Sequence, residues 1–180
     1  MEKLKASHGV AVRWRSFELR PKGAPPISPE YKARILAARP RFEAMALEQY
    51  GLELNVGPFG VDSRPALVGA KYAEEMGVGD AYHDAVFRAY WQEGESIEDV
   101  AVLTGIAERV GLAREPFLAA LAGEGVWETA VTADIEQAFQ YGLSGVPALV
   151  FASKYLVSGA QPYEVLVQVA DQVAAEQEGA

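Results

Sequence analysis

The 180-residue sequence contains no cysteine. This excludes disulfide bonds, thiolate metal sites and thiol nucleophiles among these residues, but it does not decide the redox compartment. Histidine is scarce too, since His8 and His83 are the only two and they lack the short spacing of paired metal ligands. Both are expected to be structural or neutral, and neither a metal nor a cofactor is expected.

Basic residues are few: 16 Lys and Arg stand against 25 Asp and Glu, which gives a net charge of −9. This balance argues against nucleic-acid and anionic-membrane partners, which need clustered cations. No apolar run reaches the ~18 residues that cross a bilayer. The first residues also lack the apolar core of a secretory signal. A cytoplasmic protein without a nucleic-acid or membrane partner is therefore predicted.

Two patterns near the start of the chain predict a helix followed by a strand. Residues 1–7 read as a helix that is closed by His8 and Gly9. Residues 10–15 alternate at period two and are rich in β-formers, and the pattern continues to Leu19 with a change of phase. A helix and a strand joined by one tight turn are typical of the second half of a β-α-β unit.

Residues 62–141 contain only helical patterns and predict an all-helical insertion. The aromatic side chains of this block are expected to form its core, although they could instead line a substrate groove; they are Tyr82, Phe87, Tyr90 and Trp91. The flanking segments 1–61 and 142–180 hold the predicted strands. The chain is therefore expected to form one discontinuous domain, 1–61 with 142–180, interrupted by a helical domain at 62–141.

A loop at residues 142–147 precedes the most apolar short segment of the chain. It ends in Gly145, Val146 and Pro147, and residues 148–151 then read as a buried strand with a hairpin partner at 154–157. A helix introduced by residues 158–162 closes the chain. On its own, this loop could be no more than a turn before a strand.

Four motifs in this order resemble the DsbA-like thioredoxin-fold family, and most closely its cytoplasmic FrnE-like branch. They are Trp14-Arg15-Ser16-Phe17-Glu18-Leu19, Asp62-Ser63-Arg64-Pro65-Ala66, Gly142-Leu143-Ser144-Gly145-Val146-Pro147 and Val157-Ser158-Gly159-Ala160-Gln161-Pro162. The resemblance implies an α/β thioredoxin-like fold with a large all-helical insertion. It also implies that Gly145, Val146 and Pro147 form a cis-proline loop that binds substrate.

The chain departs from the family pattern at its start. Family members begin with a central strand that ends in a Cys-Pro-x-Cys motif, at the N-terminus of the helix that here begins at Met1. The resemblance therefore predicts an N-terminally truncated fold that lacks this strand and motif. A start codon placed too far downstream, or a truncated product, would account for the difference.

The resemblance leaves three functions open. The first is a protein thiol-disulfide oxidoreductase of FrnE type, which would be redox-inactive as given because disulfide exchange needs a thiolate. The second is a redox-dead module that binds an extended peptide, whose affinity Pro147→Ala would abolish while the fold is retained. The third is a glutathione-dependent enzyme like 2-hydroxychromene-2-carboxylate isomerase. No residue is assigned a catalytic role. An extended peptide or protein thiol substrate is the expected partner, and a homodimer is left open.

Overall fold

The computed structural model describes residues 1–123 and 125–178. Within these ranges the chain forms eight helices and two strands. In chain order they are α1 (Glu2–His8), α2 (Pro29–Tyr50), α3 (Arg64–Glu75), α4 (Gly79–Trp91), α5 (Val100–Arg109), α6 (Arg114–Ala122), α7 (Val126–Gln140), β1 (Ala148–Phe151), β2 (Tyr155–Ser158) and α8 (Tyr163–Glu178).

The chain divides into two compact units, one of residues 1–19 with 133–180 and the other of residues 20–132. These boundaries differ from the division at 62–141, because α2 and the segment after it pack on α4. The Arg39 guanidinium donates to the Val56 carbonyl at 2.9 Å, and Gly57 N–H donates to the Tyr90 carbonyl at 2.6 Å. The Phe42 and Trp91 rings also meet edge to face, 6.1 Å apart.

The core of residues 20–132 lies among α3, α4, α5 and α6, as expected for an all-helical insertion. Its largest fully buried side chains include Tyr82, Phe117, Leu103 and Ile106. The expectation that the aromatics of α4 all lie in this core is right for Tyr82 but wrong for two others. Phe87 and Trp91 are 53% and 36% exposed. They follow the helical period, but their side of α4 is only partly covered, by the Phe42 ring of α2 that meets Trp91 edge to face.

The sheet of the other unit is an antiparallel hairpin in which Leu149 lies opposite Val157 and Val150 lies opposite Leu156. The intervening turn is tight, with Ala152 and Ser153 at φ 48° and 56°. One face of the hairpin is apolar and buried, as Val157 shows at 8% exposure.

The terminal helices of this unit are joined by polar contacts. Ser7 Oγ lies 2.6 Å from Tyr163 Oη, and His8 Nε2 lies 3.4 Å from an Asp171 carboxylate oxygen. On the same helix α1, Leu4 is almost fully buried. His8 thus takes part in a polar contact between α1 and α8.

The strand predicted from residue 10 to residue 19 is not formed. Residues 10–18 have no regular secondary structure, and in the described parts of the chain β1 and β2 pair only with each other. Alternation shows that two faces of a segment differ, but a strand also requires a neighbour that accepts its hydrogen bonds. Here Ser16 N–H donates instead to an Asp134 carboxylate oxygen, at 2.8 Å.

Candidate substrate-binding loop

The loop at residues 142–147 begins where α7 ends. Gly142 has φ 71°, a left-handed conformation that favours glycine. Its N–H donates to the Phe139 carbonyl at 2.9 Å, and Leu143 N–H donates to the Ala138 carbonyl at 3.0 Å. These bonds cap the last carbonyls of α7 and fix the direction in which the chain leaves the helix.

The loop ends at the residue before β1. The Val146–Pro147 peptide bond is cis. The Pro147 carbonyl accepts a hydrogen bond from Gly159 N–H, at 2.8 Å, which ties the loop to the end of β2. The three predicted site residues are thus contiguous at one end of the hairpin: Gly145 is partly buried, whereas Val146 and Pro147 are exposed.

Val146 presents free main-chain groups at this position. The residue is 52% exposed. Within the part of the chain that the structure describes, neither its N–H nor its carbonyl takes part in a hydrogen bond. Such a pair of main-chain groups next to a strand can accept an added strand, which is how several domains bind extended peptides.

An exposed apolar pair lies on the hairpin beside the loop. Val150 and Leu156 face each other in the register and are 37% and 48% exposed. Neither residue was among the site residues predicted from the sequence. The sequence feature that could have indicated them is the lack of alternating polar residues in the two strands, which leaves both faces of the hairpin apolar.

The loop itself carries no titratable side chain. Residues 142–147 include no acidic, basic, histidine or tyrosine side chain. Across residues 1–123 and 125–178, no group of His, Asp and Glu side chains could hold a metal ion. Over the same residues, no helix is both long and apolar enough to cross a bilayer. What the loop can supply is main-chain hydrogen bonding, apolar contact and the hydroxyl of exposed Ser144.

A buried carboxylate holds residues 15 and 16 against α7. Asp134 is 4% exposed and accepts from the Arg15 guanidinium at 2.7 Å and from Ser16 N–H at 2.8 Å. The Arg15 side chain itself remains 44% exposed. The pairing with Asp134 joins positions more than a hundred residues apart, so spacing along the chain could not predict it.

The connection of α7, glycine loop, Val-Pro, β1, β2 and α8, with helices α3–α6 before it, defines a thioredoxin-like domain that carries a helical insertion. The chain belongs to the DSBA-like thioredoxin domain family, whose model matches residues 1–170.

Two solved structures and one curated protein are similar to this chain. A probable DsbA oxidoreductase from Streptomyces coelicolor is 31% identical, with a TM-score of 0.84 over 97% of this chain and 82% of that one. A 2-hydroxychromene-2-carboxylate isomerase is 20% identical, with a TM-score of 0.80 over 99% of this chain and 88% of that one, and this likeness concerns the fold. The uncharacterised Bacillus subtilis protein YwbO is 35% identical over 117 residues, which cover 62% of this chain and 57% of that protein.

Proposed function

We propose that this chain binds an extended polypeptide segment at Gly145, Val146 and Pro147, as the substrate-holding part of a DsbA-like thiol-disulfide oxidoreductase of the FrnE-like branch. The observation that carries the proposal is the pair of free main-chain groups on exposed Val146. A substrate backbone that runs alongside would donate to the Val146 carbonyl and accept from its N–H. Affinity would then depend on the main chain of Val146 more than on its side chain.

The exposed pair Val150 and Leu156 supports the same binding mode. An added strand places alternate side chains on one face, and an apolar side chain of the substrate could rest on these two residues. Disulfide exchange is a separate step that needs a thiolate, and these 180 residues contain none. The contribution of this chain is therefore to hold the substrate. Because it has no cysteine, the chain is expected to show no disulfide-exchange rate above the buffer blank.

The proposal is tested with a fluorescein-labelled peptide that contains an S-alkylated cysteine flanked by apolar residues, titrated by fluorescence anisotropy. Val146→Pro removes the N–H donor, whereas Val146→Ala removes only the side chain beyond Cβ. One lost hydrogen bond that leaves a substrate carbonyl unsatisfied costs about 1–3 kcal/mol, so we expect roughly tenfold weaker binding for Val146→Pro. Val146→Ala is the matched control and should bind within about threefold of the parent chain, a change of under about 1 kcal/mol.

Both variants are checked by far-UV circular dichroism, so that a change in affinity is not confused with loss of the fold. Equal affinity in the folded Val146→Pro variant would overturn the main-chain mode. A peptide that does not bind the parent chain would overturn the proposal itself.

A glutathione-dependent isomerase is the second candidate, and the structural likeness over 99% of the chain favours it. The two candidates differ in ligand size. Glutathione is a tripeptide. An isomerase site is therefore expected to bind glutathione but not the longer labelled peptide. Isothermal titration with glutathione distinguishes them: we expect no heat of binding, and a saturable signal combined with no peptide binding would favour the isomerase.

A further inference from the structure

Helix α2 is exposed on almost every side. It runs over 22 residues, and only Arg39, Glu43 and Ala46 among them are partly or fully buried. Residues 29–38 are all exposed. A helix in water is stabilised chiefly by packing an apolar face, because helix propensity alone is marginal over such lengths. An exposed helix of this length therefore calls for a partner surface.

One line of side chains along α2, which we call the seam, has the spacing of a coiled coil. Its members recur at alternating intervals of four and three residues, which is the a and d pattern of a heptad. They are Tyr31, Ile35, Ala38, Phe42, Met45 and, as a polar member at the C-terminal end, Gln49. The four large apolar or aromatic ones are 46%, 37%, 43% and 39% exposed in that order. The line covers about 27 Å at ~1.5 Å of rise per residue.

We propose that this seam packs against the same seam of a second copy of the chain, with the two α2 helices antiparallel. An antiparallel pair centred between Ala38 and Phe42 sets Phe42 of each helix against Ala38 of the other. Interiors pack well when large and small side chains alternate across facing positions. The next layer on either side joins Ile35 to Met45, whose unbranched side chain adapts to the space available. A parallel pair would instead set phenylalanine against phenylalanine and alanine against alanine.

The outermost layers of the antiparallel pair place Tyr31 of one helix against Gln49 of the other. Both residues are exposed and lie at the ends of the seam, where water has access. The Tyr31 ring can cover the apolar layer next to it while its hydroxyl donates to the Gln49 amide oxygen. The polar member of the seam therefore has a hydrogen-bonding partner in this arrangement. A parallel pair would set tyrosine against tyrosine and glutamine against glutamine.

Charges beside the seam favour the same orientation. Arg34 and Glu48 lie on the same flank, at equivalent heptad positions. In an antiparallel pair this flank faces its own copy, so Arg34 of each helix meets Glu48 of the other, twice per dimer. In a parallel pair Arg34 would approach the basic side chain of Arg39, also twice. Arg34 also lies over the Tyr31 ring, 5.1 Å from its centroid, which keeps the guanidinium beside the seam.

Near the two-fold axis of the antiparallel pair, Arg39 and Arg41 each lie close to the same residue of the other helix. Neither repulsion outweighs the attraction between Arg34 and Glu48. Arg39 already pairs with Glu43, at 3.2 Å between Nε and Oε1, which reduces its repulsion of a second Arg39. Arg41 is exposed, so its long side chain can turn toward water. The dimer thus sets two Arg34–Glu48 attractions against one solvated Arg41 pair. Removing the Arg41 charge should therefore strengthen association.

Pro40 does not interrupt this surface. The helix continues through it, and the heptad spacing puts the residue on the side of α2 opposite the seam. Phe42 rests edge to face on Trp91 of α4 and still exposes 43% of its surface, so α4 supports the seam from one side without covering it. A two-fold symmetric contact of this kind closes on itself and yields a dimer, not a filament.

The first test is sedimentation equilibrium of the whole chain between about 5 and 500 µM, a range that detects association of micromolar strength. We expect a mass that rises from 19.4 kDa toward twice that value. Ile35→Glu places a charge in the seam and should raise the dissociation constant at least about tenfold. Leu36→Glu is the matched control, because Leu36 is 46% exposed on the same helix but outside the seam, and it should leave association unchanged.

The second test reads the orientation. Arg34→Glu and Glu48→Arg should each weaken the dimer, and the double variant should restore it. The chain has no cysteine, so single introduced cysteines report contacts directly. A mixture of Tyr31→Cys and Gln49→Cys should cross-link as heterodimers under mild oxidation, whereas Tyr31→Cys alone should not.

A chain that stays monomeric over the whole concentration range would overturn the proposal. So would a dimer that Leu36→Glu and Ile35→Glu weaken equally. Cross-linking of Tyr31→Cys with itself would refute the antiparallel arrangement. Circular dichroism at 222 nm accompanies every variant, and the charge-reversal pair keeps the test decisive if a seam variant loses helix.

Discussion

Removing the Asp134 carboxylate is expected to release residues 15 and 16 from α7. In Asp134→Ala, the N–H of Ser16 loses its acceptor while its residue stays buried, since Ser16 is only 5% exposed. A buried donor left without a partner costs about 1–3 kcal/mol. The Arg15 guanidinium also loses its partner at 2.7 Å.

The contribution of the ion pair is smaller than that of a fully buried one. Asp134 is 4% exposed, but the Arg15 side chain is 44% exposed and water can solvate it after the change. Breaking a buried pair costs about 3–5 kcal/mol, whereas an exposed pair contributes about 0–1 kcal/mol. Together with the lost amide bond, we expect Asp134→Ala to lower the free energy of unfolding by about 2–4 kcal/mol.

Two measurements test this expectation. Urea unfolding followed by tryptophan fluorescence gives the stability change, and hydrogen exchange of the peptide that contains Ser16 gives the local effect. Asp171→Ala is the matched control in the same unit, because Asp171 is 66% exposed and its pairing with His8 should contribute less than about 1 kcal/mol.

The reasoning would be refuted in either of two ways. Asp134→Ala could match Asp171→Ala in stability, which would mean that the buried carboxylate contributes no more than a surface one. Alternatively, the Ser16 amide could exchange at the parental rate, which would mean that its hydrogen bond to Asp134 does not protect it.

Three further predictions concern the helical unit. The Tyr82 hydroxyl is buried without a hydrogen-bond partner among the described residues, and burial raises its pKa, so Tyr82→Phe should raise the free energy of unfolding by about 1 kcal/mol. Above about pH 10 the tyrosine of the unfolded chain ionises while buried Tyr82 stays protonated, so the free energy of unfolding of the parent chain should fall. The difference in free energy of unfolding between Tyr82→Phe and the parent chain, measured by urea titration, should therefore increase above this pH. Gly69→Ala would press a methyl group on the same hydroxyl and cost about 1–3 kcal/mol, and Tyr82→Phe should relieve part of that loss in a double-mutant cycle. Arg64 donates from Nε to Glu128 at 2.8 Å and from Nη2 to Thr132 at 2.6 Å, so Arg64→Lys should lower the thermal midpoint by a few degrees, about 1 kcal/mol.

The ends of helices could be predicted because they depend on the backbone conformation and side chain of the residue at the helix end. Gly9 closes α1 at φ 61°, and Ser28 Oγ accepts from Tyr31 N–H at 3.2 Å to begin α2 with Pro29 as its first residue. Each of these signals acts within one turn of the chain. They placed α1 correctly without any knowledge of the tertiary structure.

Features that depend on distant partners could not be predicted in this way. The alternating segment from residue 10 lacks a pairing neighbour in the described chain, so it forms no strand. Phe87 and Trp91 are exposed. The helical period shows which residues share a face of α4, but tertiary packing decides which face is covered. The Arg15–Asp134 pair is of the same kind, since nothing near either residue indicates the other.

The Gly145, Val146 and Pro147 loop shows how the two kinds of information combine. Its position follows from local signals, because Gly142 ends α7 and an apolar strand begins at residue 148. Its attachment lies within one hairpin, through Gly159 N–H and the Pro147 carbonyl. None of these contacts involves a thiol, so the geometry proposed to bind substrate does not depend on redox chemistry. Peptide binding and disulfide exchange can therefore be measured separately, and the comparison of Val146→Pro with Val146→Ala tests binding in this cysteine-free chain without any redox assay.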